Sequence, residues 1–254
     1  MQKIYLSLII PCYNEQENLK RKVLGEIYKY LKGKSFSWEV IISDDGSTDE
    51  SREIVKKEIK AYPGFRLLAN PHGGKPSALS YGIKSAKGEY ILFTDMDQST
   101  PIGELEKLLP HIKDGYMAII GSRGLGRENF PLYRRAGAVV FSTIRRALIL
   151  PEIADTQCGF KLFASDVLKK AFPRLEFFRT EQKAVGWKVT SFDVELLHII
   201  KKMGQKIKEV TVLWNDRDVS RGKGGGLSRY FRESKEMFSQ IVRVKLNEMK
   251  GFYG

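Results

Sequence analysis

The sequence predicts an α/β protein with a mixed, mostly parallel sheet, doubly wound and flanked by helices. Two observations predict it. Short apolar runs of strand length alternate with segments of helical spacing four times within the first ~95 residues. The first of these runs is near-continuously apolar rather than alternating, as in a strand covered on both faces.

The elements follow in order. Ile4–Ile10 is a near-continuous apolar run ended by Pro11, a buried strand. From Glu15 to Leu31 the apolar residues Leu19, Val23, Leu24, Ile27 and Leu31 recur at helical spacing and predict one helix. Trp38–Ser43 is a second strand and Asp44-Asp45-Gly46-Ser47 a turn. Thr48 or Asp49 caps the next helix, whose inner face carries Ile54, Val55 and Ile59. Phe65–Ala69 is a third strand, followed by the Gly-rich turn His72-Gly73-Gly74 and a helix through Ala78, Leu79, Ile83 and Ala86. Tyr90–Thr94 is a fourth strand, with Asp95-Met96-Asp97 at its C-terminal end. The rhythm then loosens: a helix over Leu105–Ile112, a strand over Met117–Gly121, a helix over Ala136–Leu150 and a short strand over Gly159–Phe163. Phe192–Met203 reads as a helix, Ile207–Trp214 as a strand and Arg221–Gly226 as a basic loop. Leu227–Met249 carries one apolar helical face. With no repeat or long linker, residues 1–254 read as a single domain: a first half to about 97, a second over 98–226 and a C-terminal amphipathic helix over 227–250.

At 254 residues the chain buries a sizeable core without staples. Its two cysteines, Cys12 and Cys158, build no disulfide framework, and its three histidines are scattered, with no zinc spacing. A reducing, cytoplasmic compartment is expected. No segment reaches the ~18–20 apolar residues of a spanning helix, and the first run is too short for a secretory leader. Forty-three basic and 30 acidic residues leave a net charge of +13, which calls for a polyanionic partner: nucleic acid, an anionic membrane face or phosphorylated ligands. No recognition helix, zinc finger or aromatic-studded basic strand is present, and acidic turns at strand ends oppose a polyanion there, so nucleic acid is set aside.

In open α/β sheets ligands bind beyond the carboxyl ends of the strands. Two acidic clusters fall at such ends, Asp44-Asp45 and Asp95-x-Asp97. Carboxylates two apart in an irregular turn reach one cation, and hard oxygen donors suit Mg²⁺ or Mn²⁺ completed by substrate phosphates. Lys75 follows a Gly-rich turn at a helix start, where backbone N–H groups can face an anion.

Pro11-Cys-Tyr-Asn-Glu15, Asp44-Asp-Gly-Ser-Thr-Asp49, Gly74-Lys-Pro-Ser-Ala78, Asp95-Met-Asp97 and Gly121-Ser-Arg123 occur in that order. Together they resemble the nucleotide-sugar half of glycosyltransferase family 2, with the GT-A fold. Asp155-Thr-Gln-Cys-Gly-Phe-Lys-Leu-Phe163 and Phe192-Asp-Val-Glu-Leu-Leu197 resemble a narrower branch, the dolichyl-phosphate glucosyltransferases and mannosyltransferases. The likeness covers about residues 4–215. It implies that Pro11, Tyr13, Asn14, Glu15, Asp44, Asp45, Lys75, Asp95 and Met96 hold a nucleotide sugar, UDP-glucose first and GDP-mannose second. It implies that Asp95 and Asp97 bind the cation, and that Asp97, Asp193 and Arg123 carry the chemistry. Gln98 stands one place earlier than the metal-side glutamine of that branch.

The expected reaction is inverting transfer of one hexose to a polyprenyl phosphate. A hydroxyl acceptor, the alternative, needs a general base, for which Asp193 holds the slot. A phosphate monoester, largely dianionic at neutral pH, needs cations instead. Arg123, Arg134, Arg135, Arg217 and Arg221 are the candidates, since guanidinium groups grip phosphate bidentately. A lipid acceptor also requires a membrane surface. The apolar stripe of the last helix, flanked by Arg229, Arg232, Lys235, Arg243, Lys245 and Lys250, is the expected peripheral contact on the cytoplasmic face, with a separate membrane protein as a possible partner.

Overall fold

The computed structural model describes residues 3–124, 142–179, 192–219 and 227–253, with backbone alone for 227–237. One seven-stranded sheet organises them. Its strands are β1 (Leu6–Cys12), β2 (Trp38–Asp44), β3 (Phe65–Ala69), β4 (Tyr90–Phe93), β5 (Ala118–Ser122), β6 (Lys161–Ala164) and β7 (Ile207–Thr211), in spatial order β3-β2-β1-β4-β6-β5-β7. All neighbours run parallel except β6, which is antiparallel to both β4 and β5.

Alternate side chains of each strand feed two cores. Ile9, Ile41, Ile91, Phe93 and Phe163 face one side, where they meet α4 (Lys75–Ser85), α8 (Ser165–Ala171), α10 (Phe192–Lys202) and the end of α11 (Leu227–Met249). Leu8, Ile10, Val40, Ile42 and Leu162 face the other, against α1 (Gln16–Leu19), α2 (Val23–Lys32), α3 (Ser51–Glu58) and α5 (Leu105–Leu108). The remaining helices are α6 (Pro110–Lys113), α7 (residues 142–148) and α9 (Glu176–Arg179).

Five expectations need correction. β1 does not stop at Pro11. The Cys12 carbonyl accepts from Asp45, so Pro11 has its nitrogen on the β4 side, where the register ends two residues earlier with Ile9 opposite Phe93. The single helix over Glu15–Leu31 is two, separated by a left-handed Lys22 at φ 62°. Three successive cations mark the break, each drawn elsewhere: Lys20 to Glu17, Arg21 to the Arg217 carbonyl and Lys22 to Glu58. Pro110 divides Leu105–Ile112 into α5 and α6. Asp49 precedes α3 rather than capping it as the first flanking residue; its carboxylate accepts from the N–H groups of Ser51 and Gln16 and so ties the starts of α3 and α1 together. Finally, α8 and α9 fill a stretch to which the sequence assigned nothing. Residues 136–141 of the helix expected over Ala136–Leu150 lie outside the described residues.

Candidate active site

The parallel strands bring both acidic turns to one rim. Asp44 ends β2 and is fully buried. Its carboxylate accepts from the Gly46 and Ser47 N–H groups and from Arg52, whose Nε and Nη2 stand 3.0 and 2.5 Å away. It is bound up in shaping its own turn. Asp45 reaches the next loop: its carboxylate accepts from the N–H of Gly73 at 2.9 Å and of Gly74 at 2.8 Å. His72 Nδ1 lies 2.9 Å from both the carboxylate and the carbonyl of Asp45, and the His72 ring stacks on Tyr13 at 4.5 Å. Asn14, at φ 55°, accepts from Thr48 and Asp49 and so pins the β1 exit to the β2 turn. The Glu15 N–H donates to Ser51 Oγ, and its carboxylate accepts from Asn18.

Beyond β4 lies the second cluster. Lys75 Nζ donates to Asp95 Oδ1 at 2.6 Å. Burial alone would lower the Lys75 pKa, but the carboxylates of Asp95, Asp193 and Asp97 outweigh it and hold the ammonium charged, its pKa above the usual lysine value. Asp97 Oδ1 accepts from the Ser99 N–H at 2.8 Å, while Met96 points into the core. Gln98, at φ 51°, is turned inward and donates to Thr94 Oγ1 and the Asp95 carbonyl. Gly159 closes the cluster from the segment that leads into β6: a Cβ there would stand 1.9 Å from Asp95 Oδ2.

The segment entering β6 joins this cluster to α10. Lys161, 1 % exposed, donates to Asp193 Oδ1 at 2.7 Å and to the Cys158 carbonyl. Asp193 sits in the first turn of α10, where the helix dipole favours an acid. Cys158 is buried, its Sγ 3.8 Å from Thr100 Oγ1.

On the far side, Arg123 leaves β5 and forks onto Asp155: Nε to Oδ2 at 2.7 Å and Nη2 to Oδ1 at 2.8 Å, with its N–H also on Oδ2. Burial of the pair works against both charges, yet the Asp155 carboxyl stays well below the usual carboxylate range because Arg123 and backbone N–H groups hold its anion. A cleft of about 840 Å³ opens beside this pair, bounded by Ser122, Ala154, Lys208 and Glu209. Arg217 turns to Glu26 at 3.5 Å, while its N–H donates to Ser99 Oγ. Arg134, Arg135 and Arg221 lie outside the described residues.

Comparison with known proteins matches this arrangement. The profile of Glycosyl transferase family 2 matches residues 7–172, from β1 through the second acidic turn to α8. The chain belongs to glycosyltransferase family 2. A dolichyl-phosphate beta-glucosyltransferase of Trichomonas vaginalis is 36% identical across 88% of this chain and 70% of its own length. The human dolichyl-phosphate beta-glucosyltransferase is 32% identical across 85% and 69%. Among solved structures, the mannosyltransferase PcManGT of Pyrobaculum calidifontis, in complex with GDP-Man and Mn²⁺, has a TM-score of 0.61 at 18% identity. It covers 96% of this chain, which spans 65% of that structure.

In this family 2 glycosyltransferase the sequence missed Lys161, His72 and Gly159 as members of the cluster. The signal for Lys161 was a lysine between Phe160 and Leu162 in a four-residue strand, a charge that needs a buried partner. The chemistry at β4 fits a hard divalent cation: Asp95 and Asp97 offer only oxygen, and the Asp95 side chain is 41% exposed. Among the described residues no third histidine, cysteine or carboxylate converges with them into a metal cage. Two carboxylates with room for phosphate oxygens is what Mg²⁺ or Mn²⁺ takes with a diphosphate substrate.

The C-terminal helix divides its two faces. Ile241 and Val244 are buried, and Arg243 reaches Glu176 and Glu195, so this cation faces the core instead of flanking an outer stripe. Phe238, Val242, Leu246 and Met249 are exposed on the other side. No described helix is long and apolar enough to cross a membrane.

Proposed function

We propose that the chain transfers one hexose, with inversion, from a nucleotide diphosphate sugar to a polyprenyl phosphate, glucose from UDP-glucose first and mannose from GDP-mannose second. In this reading residues 1–97 serve the nucleotide sugar and 98–226 the acceptor. Asp45, Tyr13 and His72 form the nucleoside side. Asp95 and Asp97 hold the Mg²⁺ or Mn²⁺, which neutralises the leaving diphosphate when bound. Lys75 holds Asp95 and adds positive charge beside the phosphates. Arg123, fixed in orientation by Asp155, stands at the acceptor side with Arg217.

One observation carries the choice of acceptor: Asp193 is engaged by the buried Lys161. That ammonium already occupies the carboxylate oxygen a general base would turn to the acceptor, whereas a phosphate acceptor needs no base. The names of the relatives, matched over 85–100% of the chain, support the same acceptor. Family 2 enzymes with hydroxyl acceptors remain the alternative.

The test offers a panel of radiolabelled nucleotide sugars, with Mg²⁺ or Mn²⁺, to purified protein and polyprenyl phosphate in detergent. The expected result is organic-soluble, mild-acid-labile label from UDP-glucose. Metal-dependent donor hydrolysis with no organic label overturns the lipid acceptor. Asp193→Asn separates the readings further: a modest loss is expected for a phosphate acceptor, abolished turnover with intact donor binding for a hydroxyl.

A further inference from the structure

Residues 158–161 touch the acidic cluster twice. Gly159 lies against Asp95, and two residues later Lys161 holds Asp193, its ammonium also bound to the Cys158 carbonyl. In the sheet Lys161 stands opposite Phe93 of β4 and Ile120 of β5, beside the ends of the two strands that lead into Asp95 and Arg123. Asp193 and Asp97 both act on Lys75, which itself sits 2.6 Å from Asp95. Three carboxylates therefore share the field of Lys75, and Asp193 is the one that a second ammonium, Lys161, holds.

We infer that Lys161 is a positioning residue that keeps Asp193 out of the cation site, limiting that site to Asp95 and Asp97. The consequence is stoichiometric. A six-coordinate cation held by two carboxylates keeps positions for diphosphate oxygens. A third carboxylate would bind the bare cation more tightly and take a position that the donor needs. Burying a lysine is costly unless it is paired, and among the described residues its presence in a central strand is matched by Asp193 and the Cys158 carbonyl. The inference rests on Asp95 and Asp97 being the cation's carboxylates.

The experiment titrates Mn²⁺ alone into the full chain, following free Mn²⁺ by electron paramagnetic resonance, and measures KM for the nucleotide sugar in parallel. Lys161→Met is expected to bind Mn²⁺ about tenfold more tightly, as loss of a nearby positive charge and gain of a ligand require, while KM for the donor rises. Lys161→Met/Asp193→Asn is expected to return both quantities to within about threefold of the parent. A merely structural role would move Mn²⁺ affinity the other way. Weaker or unchanged Mn²⁺ binding in Lys161→Met, or no reversal in the double variant, overturns the inference. Should Lys161→Met not fold, Asp193→Asn decides: a loss of Mn²⁺ affinity beyond about a hundredfold marks Asp193 as a ligand and overturns it, a loss within about tenfold supports it. Mn²⁺ affinity that survives Asp95→Asn and Asp97→Asn unchanged overturns the assignment of the cation's carboxylates, and the inference with it.

Discussion

At Gly159 a single methyl group tests the site. Because Asp95 Oδ2 occupies the place of the absent Cβ, Gly159→Ala must push the carboxylate or the β6 entry aside. Transfer is expected to fall by about 10²-fold, the usual cost of an ångström-scale misplacement, with far-ultraviolet circular dichroism unchanged; unchanged kcat and KM would show that Asp95 is not used where it stands. Arg123 gives the converse case. Its fork onto Asp155 is mostly buried, so Arg123→Ala is expected to cost about 3 kcal/mol of stability in urea unfolding, because it strands the Asp155 anion. An exposed arginine awaiting phosphate would cost almost nothing. The motif Gly121-Ser-Arg123 made this residue legible, but its partner lies 32 positions onward and no local pattern announces it. Asp44 and Asp45 make the same point. Both were legible as a turn at a strand end, yet one is consumed by Arg52 and only the other reaches the Gly73-Gly74 loop.

Among the elements, α11 was the best predicted and the most double-sided. Its limits match the apolar spacing to the residue, Leu227–Met249. Periodicity marks an apolar stripe but not which part of it meets the core. The structure splits it: Ile241 and Val244 go inward, while Phe238, Val242 and Leu246 recur every four residues outward. Anionic vesicles at low salt are expected to sediment the protein, and Leu246→Glu with Val242→Glu is expected to leave it in the supernatant at an unchanged melting temperature. Val244→Asp should instead unfold it. Sedimentation of the double Glu variant equal to the parent would reject the stripe as a membrane contact. The break at Lys22 was not legible, because Leu19 and Val23 continue the helical spacing across it; what stops α1 is the pull of Glu58 and the Arg217 carbonyl, both remote in sequence.

For the whole molecule, the strand–helix alternation gave the fold class, since β1 to β4 are parallel strands covered on both faces. The direction of β6 was not available, because four apolar-flanked residues read the same either way. Global stability carries a pH signature. His198 is buried between α10 and α11, 3.7 Å from Glu248 and near Lys201, Lys202, Lys245 and the Tyr253 ring. Burial lowers its pKa, so the unfolded chain binds a proton that the folded chain refuses; stability is full above about pH 6.5 and falls as pH drops below it. Glu248, held down to about 2 against its burial by Lys202 and Lys245, stays ionised throughout that window. Glu195, raised by burial, works in the opposite direction. His198→Phe is therefore expected to flatten or reverse the fall in melting temperature between pH 7 and 5.5 relative to the parent; parallel curves would reject this account.

The reversed strand also sets an order of assembly. β6 is inserted between β4 and β5, both of which precede it in the chain. During synthesis those two strands must wait, unpaired along facing edges, until residue 164 has emerged. Only then are β4 and β5 joined, with β7 still to add at the edge, and the same step delivers Gly159 to Asp95 and brings Lys161 to the rim. Chains truncated before β6 are expected to expose two open edges and to aggregate, while binding competence arrives in one late, non-local step rather than growing with chain length.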